Sequence, residues 1–290
     1  MTSGFRNYLT LSKPRVVLLM LLTAWAGMYL AAINPIPWWL WINATLGIAL
    51  MSGGAAAFNH IIDRHTDALM TRTKNRPLAA GKLSLKAASA FASVQTIAGF
   101  AILYFGVNHV SALLTLIASI GYAGVYSLYL KRATSQNIVI GGLAGAMPPL
   151  LGWAAVSGQL DAGGWLLVLI IFTWTPAHFW ALCLHRYEEY KQTTIPMLPI
   201  THGISFTKLN IVLYSFLTIA CSLLPYVIGM SGQLYLISAI LLGMGLIGYA
   251  LKLQFSTTDT LIALKTFKYS LIYLTGLFLM LLLDHHLLIN

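Results

Sequence analysis

A chain of 290 residues that is 58% hydrophobic and 8% charged, with a mean hydropathy of +0.79, is too poor in charge for a water-soluble domain, where about a quarter of residues are charged. A net charge of +10 would suit nucleic acid. That partner is excluded by where the 17 Lys and Arg lie, all in alternate connections between apolar runs, as in a protein sorted by the positive-inside rule.

The expected fold class is all-α: a polytopic membrane protein of nine transmembrane helices around a central cavity, with its active site on the cytoplasmic side. Spans are predicted over 16–33, 38–58, 85–105, 109–130, 137–157, 163–185, 207–230, 232–251 and 268–289, each near the about 20 residues a bilayer requires. The first run is as long as a span and lacks a clear cleavage site, so it is read as retained. Charge placement predicts a cytoplasmic N-terminus and an external C-terminus. The whole of 1–290 reads as one domain, with four-helix pseudo-repeats over 16–130 and 137–251. Cys183 and Cys221 are far apart in apolar runs and read as core residues.

In chain order, Tyr8 to Arg15 is a short amphipathic approach ending in Lys-Pro-Arg, read as interfacial. Span 2 carries Ser52, Gly53, Gly54 and three alanines, small enough for close helix contact. Asn59, Asp63 and Asp67 follow four apart, so on a helix they share one face, which can hold a metal. This face is expected at a solvated helix end. Arg64, Arg72, Lys74 and Arg76 follow in the same segment, and carboxylates beside cations suit a diphosphate bridged by Mg2+. Pro77 and Gly81 mark a loop.

Span 4 ends with Tyr122, Tyr126 and Tyr129 at helical spacing, then Lys131 and Arg132. Tyr129 suits an interfacial belt, whereas Tyr122 and Tyr126 are either packing residues or an electron-rich wall for a cation. Span 5 opens at Asn137 and is interrupted by Pro148 and Pro149, so its freed backbone groups must be satisfied inside the protein. Span 6 carries Trp174, His178 and His185, then Arg186, Tyr187, Glu188 and Glu189, a second polar cluster expected to face the first. An intramembrane His is costly unless paired or facing a cavity, which makes His178 a candidate ligand contact. Asp259 reads as a loop residue, and Asp284, His285 and His286 as solvated residues at the outer end.

The run Asn59-x3-Asp63-x3-Asp67, continued through Arg72, Arg76 and Gly81, resembles the first signature of the UbiA-type intramembrane prenyltransferases. YSLYLKR at 126–132, NIVIGGLAGAMPPLLGW at 137–153, PAHFWALCLHRYEEY from 176 and IPMLP at 195–199 resemble the haem-farnesylating branch of that superfamily. Thr66 departs from the usual apolar residue and is not expected to point with the carboxylates. The resemblance implies farnesyl diphosphate and haem B as substrates, Mg2+ as cofactor, and haem O as product for haem–copper oxidase biogenesis. It further implies a bacterial inner-membrane location and contacts with haem A synthase or an oxidase assembly. On the residues, it implies that Asp63, Asp67 and Asn59 hold the metal and that Arg72, Arg76, Lys131, Arg132 and Arg186 serve the diphosphate. His178, Tyr122, Tyr126, Trp174, Asn137, Tyr187 and Glu188 would serve haem or the prenyl chain. Two alternatives stay open: a relative acting on an aromatic acid such as 4-hydroxybenzoate, and a cation-coupled transporter.

Overall fold

The computed structural model describes residues 3–71, 73–256 and 260–289. A short helix α1 (Ser3–Leu11) leads into α2 (Pro14–Ala31), whose first turn is Pro14. Next come α3 (Trp38–Leu69), α4 (Leu85–Gly106) and α5 (His109–Ile120), which passes into a π-helical segment, Gly121–Leu130, and the single turn α6 (Lys131–Ala133). Helices α7 (Asn137–Ala146) and α8 (Pro148–Ser157) form one kinked span, followed by α9 (Ala162–His185). The chain then makes the short helices α10 (Tyr187–Lys191) and α11 (Leu198–Thr201) and closes with α12 (Ile204–Val227), α13 (Gln233–Phe255) and α14 (Thr260–Ile289).

Nine stretches among the described residues are long and apolar enough to cross a bilayer, and they coincide with the expected nine. Two differ at one end by more than four residues. The second continues without a break to Leu69, because nothing between Phe58 and Leu69 breaks a helix. The last begins at Thr260, eight residues before its expected start, so Lys265 and Lys268 lie on its exposed face, where long stems can carry their charges to the interface.

With lipid outside, helix association depends on close packing rather than on hydrophobic exclusion. Helices α2 and α8 touch backbone to backbone: a Cβ on Gly27 would lie 1.9 Å from the Pro149 carbonyl oxygen, and one on Gly152 1.9 Å from that of Ala24. The α3–α4 contact is similar, with a Cβ on Gly99 placed 2.8 Å from the Gly47 carbonyl oxygen. Asn108 caps α5 through its Oδ1, 2.8 Å from the Ser111 amide, and its Nδ2 donates to the carbonyls of Ala154 and Ala155 at 2.9 and 3.1 Å. Asp284 is not solvated, as expected from sequence, but buried. Its carboxylate accepts from the amides of Gly232 and Tyr235 and so satisfies the start of α13. The expectation for Asp259 lies outside the described residues.

Candidate active site

The continuation of α3 beyond Phe58 carries the acidic face into a protein-lined cup. Asn59, Asp63 and Asp67 are only 4%, 2% and 5% exposed, so they do not lie at a solvated helix end. Buried carboxylates need compensating partners, and each has a cation. Lys131 Nζ lies 2.5 Å from Asp63 Oδ2, and Arg76 Nη1 donates to both oxygens of Asp67 at 2.8 and 2.7 Å. Asn59 donates to Asp63 Oδ2 at 2.8 Å and to Ser127 Oγ at 3.0 Å, while its Oδ1 accepts from Lys13 Nζ at 2.7 Å. Asp63 Oδ1 is buried and has no hydrogen-bond partner among the described residues.

Local structure explains each position. After α3 the chain turns tightly, with the Thr73 amide on the Met70 carbonyl and the Thr73 hydroxyl on the Asp67 carbonyl at 2.8 Å. This turn folds Arg76 back onto Asp67. Gly81, at φ +67°, closes the loop in a conformation that glycine adopts without steric cost. Arg72 lies outside the described residues.

Lys131 reaches the cup because of the π-helical segment. Tyr122, Tyr126 and Lys131 all line the cup, yet nine residues make two and a half α-helical turns, which would place Lys131 opposite Tyr122. Bonding from i to i+5 gives roughly 4.4 residues per turn, so nine residues make about two turns and the three side chains align. Two interactions mark the widened turn: Ser127 Oγ donates to the Tyr122 carbonyl at 2.8 Å, and the Lys131 amide bonds back to Tyr126. The rings of Tyr122 and Tyr126 stack with centroids 5.8 Å apart. The Tyr126 ring packs against α7, where a Cβ on Gly141 would fall 2.1 Å from it.

Lys13 enters from the start of α2. It is the one non-glycine residue with positive φ (47°) among those described, and Pro14 follows it. Burial, then the nearby charges of Arg76 and Lys131, lower its ammonium pKa to about 7, with Asp63 and Asp67 opposing. The cup, about 160 Å3, thus holds Lys13, Arg76 and Lys131 against two carboxylates, a net positive charge suited to an anion. Lys13 and Tyr122 also border an apolar cavity of about 190 Å3 that runs between α2, α3, α5 and α7–α8. A divalent cation fits the donor set: two carboxylates one turn apart, an amide oxygen beside them, and the unpartnered Asp63 Oδ1.

Other residues singled out from sequence lie elsewhere. Arg132 is exposed and reaches toward the Ile62 carbonyl at 3.5 Å. Asn137 is buried at the start of α7, donating to the Thr134 carbonyl at 2.8 Å. Arg186, Tyr187 and Glu188 border a separate cavity of about 440 Å3 between α9, α12, α13 and α14, where Arg186 Nη1 meets Glu189 Oε1 at 3.3 Å. The second polar cluster therefore does not face the first; the same segment instead sends Tyr190, Ile195 and Met197 into the cup. Trp174 and His178 stack on each other with centroids 4.1 Å apart, in the seam between α9 and α14.

Sequence reasoning missed Lys13, Ser127, Phe179 and Tyr190. Thr66 also lines the cup, contrary to expectation, because it sits one turn from Asp63 and beside Asp67. A Lys immediately before a helix-initiating Pro was the available signal for Lys13; for Ser127 and Phe179 nothing in the sequence distinguishes them from packing residues.

A model described as the UbiA prenyltransferase family matches residues 20–272. The chain is 57% identical over 286 residues to a protein of Legionella pneumophila (strain Paris) called protoheme IX farnesyltransferase, covering 97% of this chain and 96% of that one. Among solved structures, a digeranylgeranylglyceryl phosphate synthase superposes with a TM-score of 0.82 at 19% identity, covering 98% of this chain and 99% of that one. A UbiA homolog from Archaeoglobus fulgidus bound to DMAPP and Mg2+ gives 0.67 at 19% identity, over 95% and 99% of the two chains.

Proposed function

Because the chain belongs to the UbiA prenyltransferase family, we propose that it transfers the farnesyl group of farnesyl diphosphate to a vinyl group of haem B, with addition of water, giving haem O and diphosphate. The observation that carries this reading is the 57% identity, across nearly the whole of both chains, with a protoheme IX farnesyltransferase.

In this reading the cup receives the diphosphate. Lys13, Arg76 and Lys131 direct charge-assisted hydrogen bonds at the oxygens on which negative charge grows as the carbon–oxygen bond breaks. Asp63 and Asp67, with Asn59 assisting, would hold Mg2+, which would supply further positive charge there. The apolar cavity takes the isoprenoid chain, and the faces of Tyr122 and Tyr126 stand beside the carbon that becomes cationic. The haem vinyl forms the new carbon–carbon bond, the positive charge moves to the carbon next to the macrocycle, and water adds there with loss of a proton. Apolar walls delay that water until the bond has formed. The placement of Lys and Arg supports a bacterial inner-membrane protein with a cytoplasmic cup, cytoplasmic N-terminus and external C-terminus, and the product suits haem–copper oxidase biogenesis.

The test is turnover of haem B and farnesyl diphosphate by the purified protein, with and without Mg2+, read by mass. Haem enlarged by one farnesyl group and one water, formed only with Mg2+, is expected. Unmodified haem, with diphosphate released when an aromatic acid is present, would keep the cup and replace the acceptor.

A further inference from the structure

The oxygens that suit a divalent cation are already taken by the chain's own basic side chains. Arg76 Nη1 spans both oxygens of Asp67 at 2.8 and 2.7 Å, and Lys131 Nζ holds Asp63 Oδ2 at 2.5 Å. Lys13 Nζ takes the amide oxygen of Asn59 at 2.7 Å. Of the side-chain oxygens of Asn59, Asp63 and Asp67, only Asp63 Oδ1 has no partner among the described residues. A single buried oxygen does not hold Mg2+, which demands near-octahedral oxygen ligation and is usually bound by one or two carboxylates together with substrate phosphates. Each carboxylate is moreover paired with a cation, so the charge that would draw a free divalent ion into the cup is cancelled.

The basic side chains are better placed to move than the carboxylates. Those of Arg76 and Lys131 are 20% and 16% exposed, against 7% and 2% for their partners Asp67 and Asp63. A lysine is a point charge on a flexible stem, and a diphosphate offers it several charged oxygens in place of one. Asn59 is set for the same exchange. Its Nδ2 donates to Asp63 Oδ2 and Ser127 Oγ at 2.8 and 3.0 Å, so departure of Lys13 leaves Oδ1 a free acceptor without rotation of the amide. We propose that Lys13, Arg76 and Lys131 are placeholders that keep free Mg2+ off the carboxylates until a diphosphate draws them away, with Lys131 as the gate on Asp63. Metal and diphosphate are then held only together, and each tightens the other by the same factor. This rests on the cup being the diphosphate site.

The experiment is titration calorimetry on the full chain in lipid nanodiscs, without haem. The probes are MgCl2 alone, the unreactive thio analogue of farnesyl diphosphate in EDTA, and each in the presence of the other. The unsubstituted protein should show no saturable binding of Mg2+ alone, should bind the analogue in EDTA, and should bind it about 10- to 100-fold more tightly with Mg2+. Lys131→Met frees Asp63 and should bind Mg2+ without the analogue, whereas Lys131→Arg keeps the cation and should not. Tryptophan fluorescence on heating checks that each variant is folded. If Lys131→Met is not, Lys131→Gln takes its place, since its amide can still donate to Asp63 Oδ2 without a charge. Saturable binding of Mg2+ alone to the unsubstituted protein, with the same affinity in the Lys131 variants, overturns the placeholder role. A folded Lys131→Met or Lys131→Gln that gains no Mg2+ binding overturns the gate, while the diphosphate site stands if the analogue still binds. Failure of the analogue to bind with or without Mg2+ overturns the diphosphate reading itself.

Discussion

Replacing Asp63 by Asn separates the chemistry of the cup from its stability. The carboxylate takes Lys131 Nζ at 2.5 Å and Asn59 Nδ2 at 2.8 Å on a single oxygen, Oδ2, while Oδ1 has no partner among the described residues. An Asn side chain can leave its carbonyl oxygen in the Oδ2 position and put its NH2 where Oδ1 was, so both contacts survive as weaker bonds. The difference between hydrogen bonds to a charged and to a neutral acceptor sets a stability cost of about 1–2 kcal/mol. Asp63→Ala instead leaves Lys131 uncompensated and should cost about 3–5 kcal/mol. Turnover behaves otherwise: removing one aligned electrostatic group in such a site lowers kcat by about 100- to 1,000-fold, and both variants should lose at least that much. The assay pairs mass detection of farnesylated haem with thermal unfolding followed by tryptophan fluorescence in detergent. Turnover by Asp63→Asn within a few-fold of the unsubstituted protein would remove Asp63 from the reaction. Unfolding as severe as that of Asp63→Ala would show that the carboxylate is chiefly structural.

Gly27→Ala should destabilise by more than the 1–3 kcal/mol usual for overpacking, since the new methyl meets the Pro149 carbonyl, which cannot rotate away; a thermal scan decides, and an unchanged midpoint would contradict the α2–α8 contact. Gly141→Ala should push the Tyr126 ring out of the cup and lower turnover with a smaller loss of stability, checked by comparing kcat with the unfolding midpoint. Lys13 titrates near pH 7 when folded and at 10.5 ordinarily, so between these values the unfolded chain binds the extra proton and stability rises with pH. The gain in midpoint between pH 7 and 9 should be smaller in Lys13→Met, and an equal gain in both proteins would place the titration elsewhere. Ser127→Ala removes the hydroxyl that spans the π-helical turn and accepts from Asn59, so weaker binding of farnesyl diphosphate is expected by calorimetry.

Spans were legible in the sequence because a bilayer imposes length and hydropathy on any segment that crosses it, and the acidic face was legible because residues four apart must share one side of a helix. The same local logic failed wherever long-range packing or hydrogen bonding chose the outcome. Asp284 looked like a solvated terminal residue until α13 brought the Gly232 and Tyr235 amides to it. Arg186 to Glu189 looked like the counterpart of the first cluster, yet α10 turns them toward α12 and α14 and turns Tyr190 inward.

By itself, then, the sequence determined an all-helical membrane protein with a carboxylate-bearing helix face beside basic residues, since those properties follow from composition and from the period of a single helix. Only the tertiary structure decided which cations meet those carboxylates. Lys13 arrives through a left-handed turn before α2, Arg76 through a folded loop, and Lys131 through a widened helical turn that ordinary α spacing would have pointed away. Lys13 and Lys131 meet partners dozens of residues away through backbone departures that no local pattern encodes, whereas Arg76 meets Asp67 through the fold of a single loop.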